Sequence, residues 1–252
     1  MSAEKKQWFE KEKFWLEFAP IMFDANHWAE ATDVAEAVYR ICGLKNGDSV
    51  LDAGCGVGRI SVELALLGLN VTGVDLIQPL LDTAKESAMA EGVSINLVNA
   101  DLRSFSSMEK FDAAVSLYTS FGYCDTEDED SLILSNIASS LKPGGKFIME
   151  CLSREIEARD FIEGEWFERA GKTVLTDFSV VNDWKGLRSR WILIDNKNGE
   201  RYEHEFVQRL YSAPELKVRM LKCGFKTAEL YGDFDFSPYD YKARTMIIIA
   251  EV

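Results

Sequence analysis

Ten residues, Val50-Leu51-Asp52-Ala53-Gly54-Cys55-Gly56-Val57-Gly58-Arg59, constrain this chain more than any other stretch. An apolar run gives way to glycines at alternate positions, and a helical pattern with Ile60, Leu64 and Leu67 on one face follows. That order reads as a strand, a tight loop and a helix. Glycine supplies positive φ and a bare Cα, so the chain can turn sharply and a ligand can lie against its backbone. The helix behind the loop offers free N–H groups and the positive end of its dipole.

The alternation continues for a hundred residues. Residues 70–74, 94–98, 111–117 and 146–150 read as strands. Between them, Ile77, Leu80, Leu81, Ala84 and Ala88 share one helical face, and Leu134, Ile137, Ala138 and Leu141 another, which stops at Lys142-Pro143-Gly144-Gly145. Strands alternating with helices imply crossover connections and a parallel sheet, hence an α/β fold. Beyond about residue 160 the pattern changes to β-rich runs at 173–181, 187–194 and 201–211, joined by Asp183-Trp184-Lys185-Gly186 and Asp195-Asn196-Lys197-Asn198-Gly199. Such turns make antiparallel hairpins. Ser212 and Glu215 then have capping-box spacing, and strands at 226–231 and 244–250 close the chain. Residues 4–42 look helical, and the seven aromatics Trp8, Phe9, Phe14, Trp15, Phe18, Phe23 and Trp28 are too many to leave in water. The expectation is a single α/β domain over 1–252, with an N-terminal helical cap at 1–42 and an antiparallel β insertion at 160–212 over the substrate site.

Lys plus Arg number 28 and Asp plus Glu 42, for a net charge of −14. A chain this acidic repels a phosphate backbone and an anionic bilayer, so neither nucleic acid nor a membrane is expected as a partner. No apolar run approaches the ~20 residues of a membrane helix, and the first residues hold no apolar signal core, so a cytoplasmic protein is expected. The five cysteines include no C-x-x-C and suit reduced thiols; with only two histidines, no metal site is expected. The acidic run Asp125, Glu127, Asp128, Glu129, Asp130 reads as charge complementing a helix start.

A dinucleotide fingerprint, G-x-G-x-x-G, would put its third glycine where Arg59 stands. The spacing is G-x-G-x-G instead, which disfavours a nicotinamide oxidoreductase. Asp75 ends the second strand, where an acid of this architecture accepts hydrogen bonds from ribose hydroxyls; the alternative is a helix N-cap. Asp101 follows the third strand and either takes the amino group of an adenine or is a plain loop residue.

Taken together, VLDAGCGVGR, VTGVDL, NADL, FDAAVSLYTSFGY, LKPGGKFIME and RLYSAPELKVRMLKCGF resemble the class I S-adenosylmethionine-dependent methyltransferases. The resemblance implies a Rossmann-like seven-stranded mixed sheet with an antiparallel last strand, and S-adenosyl-L-methionine as cofactor with S-adenosyl-L-homocysteine as product. It implies that Asp52 and the Gly54, Cys55, Gly56 and Gly58 loop hold the methionine part. Asp75 and Leu76 would hold the ribose, Asp101 and Leu102 would frame the adenine, and Leu117 would close the pocket. The motif after the fourth strand, Leu117 to Tyr123, departs from the [DNS]-P-P-[YF] pattern of amino- and base-methylating relatives.

The acceptor is then a small molecule methylated on N or O. Tyr118 and His204 are the catalytic candidates. Trp28, Tyr118, Tyr123, Arg154, Arg209 and Tyr211 are the substrate candidates, Glu150 could orient a polar acceptor, and Trp15, His27 and Trp28 could form a lid. Two other readings compete: a binding module that uses the cofactor pocket without catalysis, and an NAD-dependent oxidoreductase. Either a monomer or a homodimer fits.

Overall fold

Strands buried on both faces of a parallel sheet need near-continuous apolar runs, and Ser49–Ala53 and Phe111–Ser116 supply them. A computed structural model describes residues 7–23 and 28–252. The first half contains α1 (Glu12–Met22), α2 (Ala31–Cys42), β1 (Ser49–Ala53), α3 (Arg59–Leu66), β2 (Asn70–Asp75), α4 (Gln78–Ala90), β3 (Asn96–Asn99) and β4 (Phe111–Ser116). Next come α5 (Glu127–Ser140), β5 (Leu141–Cys151), α6 (Arg154–Asp160), β6 (Gly164–Arg169), β7 (Lys172–Val181) and β8 (Gly186–Asp195). The chain finishes with β9 (Arg201–Arg209), α7 (Ala213–Lys222), β10 (Thr227–Tyr231) and β11 (Met246–Glu251).

Seven strands form one sheet in the order β3-β2-β1-β4-β5-β11-β10. β1 to β5 run parallel, and β11 lies antiparallel to both β5 and β10. Helices cover both faces: α2 and α3 bury Val38, Ile41, Ile60 and Leu64 against one, while α5 and α7 bury Leu134, Ile137, Leu216 and Met220 against the other. Thr126 with Glu129 and Ser212 with Glu215 form capping boxes that start α5 and α7. Strand order reverses between β1 and β4, so a crevice opens beyond their carboxyl ends.

β6 to β9 form a separate four-stranded antiparallel sheet. The helix α1 packs on it, burying Phe14, Phe18 and Ile21 against Val174 and Leu193. Residues 14, 18 and 21 recur at helical spacing, which is why one stripe of α1 is apolar. Two differences from the sequence reading stand out. The Lys142-Pro143-Gly144-Gly145 stretch lies inside β5, not ahead of it, and the β4–β5 register shifts between Phe111 and Ala113. Gly145 permits this, since a Cβ there would stand 2.8 Å from the Lys142 carbonyl oxygen. The sequence reading also lacked α6 and β6, whose exposed, charged residues carry little apolar periodicity. Among the described residues no helix is long and apolar enough to cross a membrane.

Candidate active site

The glycine loop leaves β1 and bends back toward the cleft, with Gly54 at φ +85° and Gly58 at φ +78°. A Cβ on Gly54 would stand 2.8 Å from that of Ser120, and one on Gly58 would stand 2.7 Å from that of Ala84 in α4. Gly58 thus provides the close loop–helix packing, which frees position 59 for a side chain. Arg59 is 5% exposed and lies over the Tyr118 ring, its guanidinium carbon 4.2 Å from the centroid. Burial lowers the Arg59 pKa.

The loop borders a cleft of about 390 Å³. Its floor is Asp52, Gly54, Cys55, Gly56 and Asp75; one wall is Leu117, Tyr118, Thr119, Ser120 and Glu150. α1 contributes Trp15, Ile21 and Met22, and the small sheet contributes Arg169 and Trp191. A smaller slot of about 120 Å³ adjoins it, sharing Trp15, Gly54, Asp75, Ser120 and Tyr123. Leu76, Ile77, Ala100, Asp101, Leu102 and Ile133 give this slot largely apolar sides. On the opposite flank, Tyr118 and Glu150 lead to a groove of mixed charge, lined by Glu30, Asp33, Asp233 and Asp240 and by Lys242 and Arg244.

Charges at the floor are held in place by short hydrogen bonds. The Asp75 carboxylate accepts the Gly56 N–H at 2.8 Å and the Ile77 N–H at 2.9 Å, so it fixes the loop while facing both cavities. Burial raises its pKa against those bonds. Asp52 is 4% exposed and accepts the Ser61 hydroxyl at 2.6 Å. Burial pushes its carboxyl up to about 6, even though Ser61 and Arg59 pull it down. Such a site favours a cation beside Asp52, which would lower the cost of its buried charge. Glu150 accepts the Tyr118 N–H and the Thr245 hydroxyl, both at 3.1 Å. Tyr118 and Thr119 adopt φ of +53° and +64°, a conformation non-glycine residues hold only where the surroundings enforce it.

Several sequence candidates lie elsewhere, for identifiable reasons. Arg154 turns away from the cleft and ties the small sheet down, donating to the Trp184 and Leu210 carbonyls and pairing with Glu215. Arg209 and Tyr211 both donate to Asp130, a carboxylate with no solvent exposure, which draws them into the seam between α5 and β9. His204 packs edge-on against Phe14 and Phe18 and meets Glu17 at 3.4 Å, as part of the α1–sheet contact. Trp28 packs with Val57, Ile77 and Leu80 behind the loop. His27 lies outside the described residues. Asp101 does line the slot, but Arg103 binds both of its oxygens. Burial alone would raise the Asp101 pKa, yet Arg103 holds it below the ordinary range. Arg103 also pairs with Glu10 and Glu129, fastening the N-terminal segment to the slot. The sequence reading passed over Arg103, Ser120 and Trp191; only their positions next to Asp101, Leu117 and on an alternating strand hinted at them.

A crevice at the switch point, a glycine cradle and a strand-end acid define a nucleoside-binding α/β protein. A family model for a methyltransferase domain matches residues 50–145. The chain is 33% identical over 224 residues to the cypemycin N-terminal methyltransferase of a Streptomyces species, covering 82% of this chain and 84% of that one. It shares the fold of an S-adenosylmethionine-dependent methyltransferase from Clostridium acetobutylicum ATCC 824, with TM-score 0.79 and 17% identity over 95% of this chain and 99% of that one. It also shares that of SAM-bound CalS10, an amino pentose methyltransferase from Micromonospora echinaspora, with TM-score 0.70 and 19% identity over 99% and 100% of the two chains. The chain belongs to the class I S-adenosylmethionine-dependent methyltransferases, and S-adenosylmethionine is its cofactor.

Proposed function

We propose that this enzyme methylates a nitrogen or oxygen of a small molecule seated between the glycine-loop cleft and the underside of the four-stranded sheet. The observation that carries the reading is the meeting of cleft and slot at Gly54 and Asp75, which gives one nucleoside two compartments. In this reading Asp52 faces the amino group of the cofactor's methionine part, the bare Gly54-Cys55-Gly56 backbone lies along that part, and Asp75 with Leu76 receives the ribose. The slot, with Asp101 and Leu102, takes the base. Leu117 closes the pocket.

The bound cofactor supplies a methyl group already activated on a sulfonium, so the protein's task is alignment and exclusion of water. Tyr118 and Glu150 border the cleft where it opens to the acceptor and orient the nucleophile. A neutral amine requires no base before attack, whereas a hydroxyl would pass its proton to a nearby acceptor such as Glu150. The cypemycin enzyme by name modifies an N-terminus and CalS10 by name an amino pentose, which supports an acceptor other than nucleic acid.

Calorimetric titration tests the reading. S-adenosylhomocysteine should bind and NAD should not, and Asp75→Ala should weaken binding by about 10- to 100-fold, as expected for lost hydrogen bonds to a carboxylate. Binding of NAD alone would refute it. A protein that binds the cofactor but never releases S-adenosylhomocysteine with any acceptor would be a binding module instead.

A further inference from the structure

Beneath the four-stranded sheet, a cavity of about 380 Å³ continues from the cleft, with which it shares Met22, Thr119, Tyr123 and Trp191. Register fixes its roof. Ser189 pairs with Phe178 on one side and with Phe206 on the other, so all three project from the same face, and Trp191 lies two residues along. The opposite wall includes Phe161 and Glu157, from α6 and the loop after it. An aromatic box of this kind suits a ring.

Three polar groups in that box lack partners among the described residues. Ser189 is 4% exposed and its hydroxyl makes no hydrogen bond. The Trp191 indole N–H is buried and donates to nothing. Glu157 has no ion pair or side-chain hydrogen bond, whereas its neighbour Asp160 is bound by Arg159. Buried donors without acceptors are rare in native proteins, because each forfeits its hydration. Burial and the charge of Asp160 also raise the Glu157 pKa, so a cation beside it would be welcome.

We propose that this cavity is a second recognition subsite, in which the acceptor's ring lies between Phe178 and Phe206 and Phe161, an oxygen on it accepts from Ser189 and Trp191, and an ammonium group pairs with Glu157. The proposal rests on the methyltransferase reading above. It adds a class: the acceptor is a cyclic amine-bearing molecule, recognised through a group remote from the one that meets Tyr118.

The test uses the full chain saturated with S-adenosylhomocysteine, whose own binding is measured first. Failure at that stage refutes the methyltransferase reading. With the complex formed, 3-phenylpropylamine, 3-phenylpropanol and 3-phenylpropanoate serve as probes that differ only in their terminal group. The amine should bind at least tenfold more tightly than the alcohol, and the carboxylate should not bind. Glu157→Gln should erase that preference and Glu157→Lys should reverse it, with S-adenosylhomocysteine affinity unchanged as the check on folding. Glu86→Gln, on the far helix α4, should leave the preference intact. The proposal is overturned if the three probes bind alike or not at all while S-adenosylhomocysteine binds normally, or if the amine preference survives in Glu157→Gln.

Discussion

Asp52 makes a quantitative prediction that needs no ligand. Its carboxyl titrates at about 6 in the folded protein against an ordinary 3.8, because burial penalises the charge. The unfolded chain therefore releases this proton more readily than the folded one. Stability from this group is fully present below pH ~4 and is lost as pH rises through about 6. The whole loss is about 3 kcal/mol at ~1.4 kcal/mol per pKa unit, roughly half of it complete by pH 5. Asp52→Asn preserves the shape and can still accept from Ser61, but it removes the titration. Urea denaturation of the unliganded proteins at pH 5 and pH 8 should show the variant gaining about 1.4 kcal/mol on the wild type between the two conditions. The same variant should bind S-adenosylhomocysteine more weakly, the usual opposition of stability and function at a ligand site. An equal difference between the two proteins at both pH values would refute the reasoning, since it would mean that Asp52 is not held neutral by burial.

Other predictions follow from packing and pairing. Gly54→Ala places a Cβ 2.8 Å from that of Ser120 at φ +85°, so it should abolish measurable cofactor binding by calorimetry. Phe18→Ala removes a fully buried ring from the α1–sheet contact and should destabilise the protein by about 3–5 kcal/mol in denaturant titration. Asp130→Asn leaves Arg209 without its buried counter-charge and should cost about 3–5 kcal/mol by the same measurement. Arg154→Ala should lower the melting temperature while leaving the acceptor KM unchanged, because its guanidinium is occupied by Trp184, Leu210 and Glu215.

The parallel half of the sheet was legible in the sequence because apolar runs alternate with helical patterns, and the first three strand ends carry chemical markers. The apolar run of β1 stops at a glycine loop, and Asp75 and Asp101 sit at or just after the next two ends. Those residues face the cleft or the slot, as does Leu117, since the backbone alone fixes where a strand end points. The acceptor side was not legible. His204, Arg209 and Tyr211 looked chemical because histidine, arginine and tyrosine often are, yet each satisfies a buried partner that lies far away in sequence. Nothing local distinguishes Arg209, which finds Asp130, from Arg59, which reaches the cleft. Ser189 and Trp191 were passed over for the converse reason. Their importance lies in bonds they do not make, which only three-dimensional packing reveals.

The contact of α1 with the small sheet has a consequence for biosynthesis. Phe14, Phe18 and Ile21 leave the ribosome roughly 150 residues ahead of Val174 and Leu193, which cover them. At ~5–20 residues per second, an apolar stripe stays uncovered for about 8–30 seconds while β1 to β5 are made. During that interval the nascent chain carries an uncovered apolar stripe that a chaperone can hold. The hairpin of β7 and β8 thus captures a helix made well before it, while β10 and β11 have still to complete the central sheet.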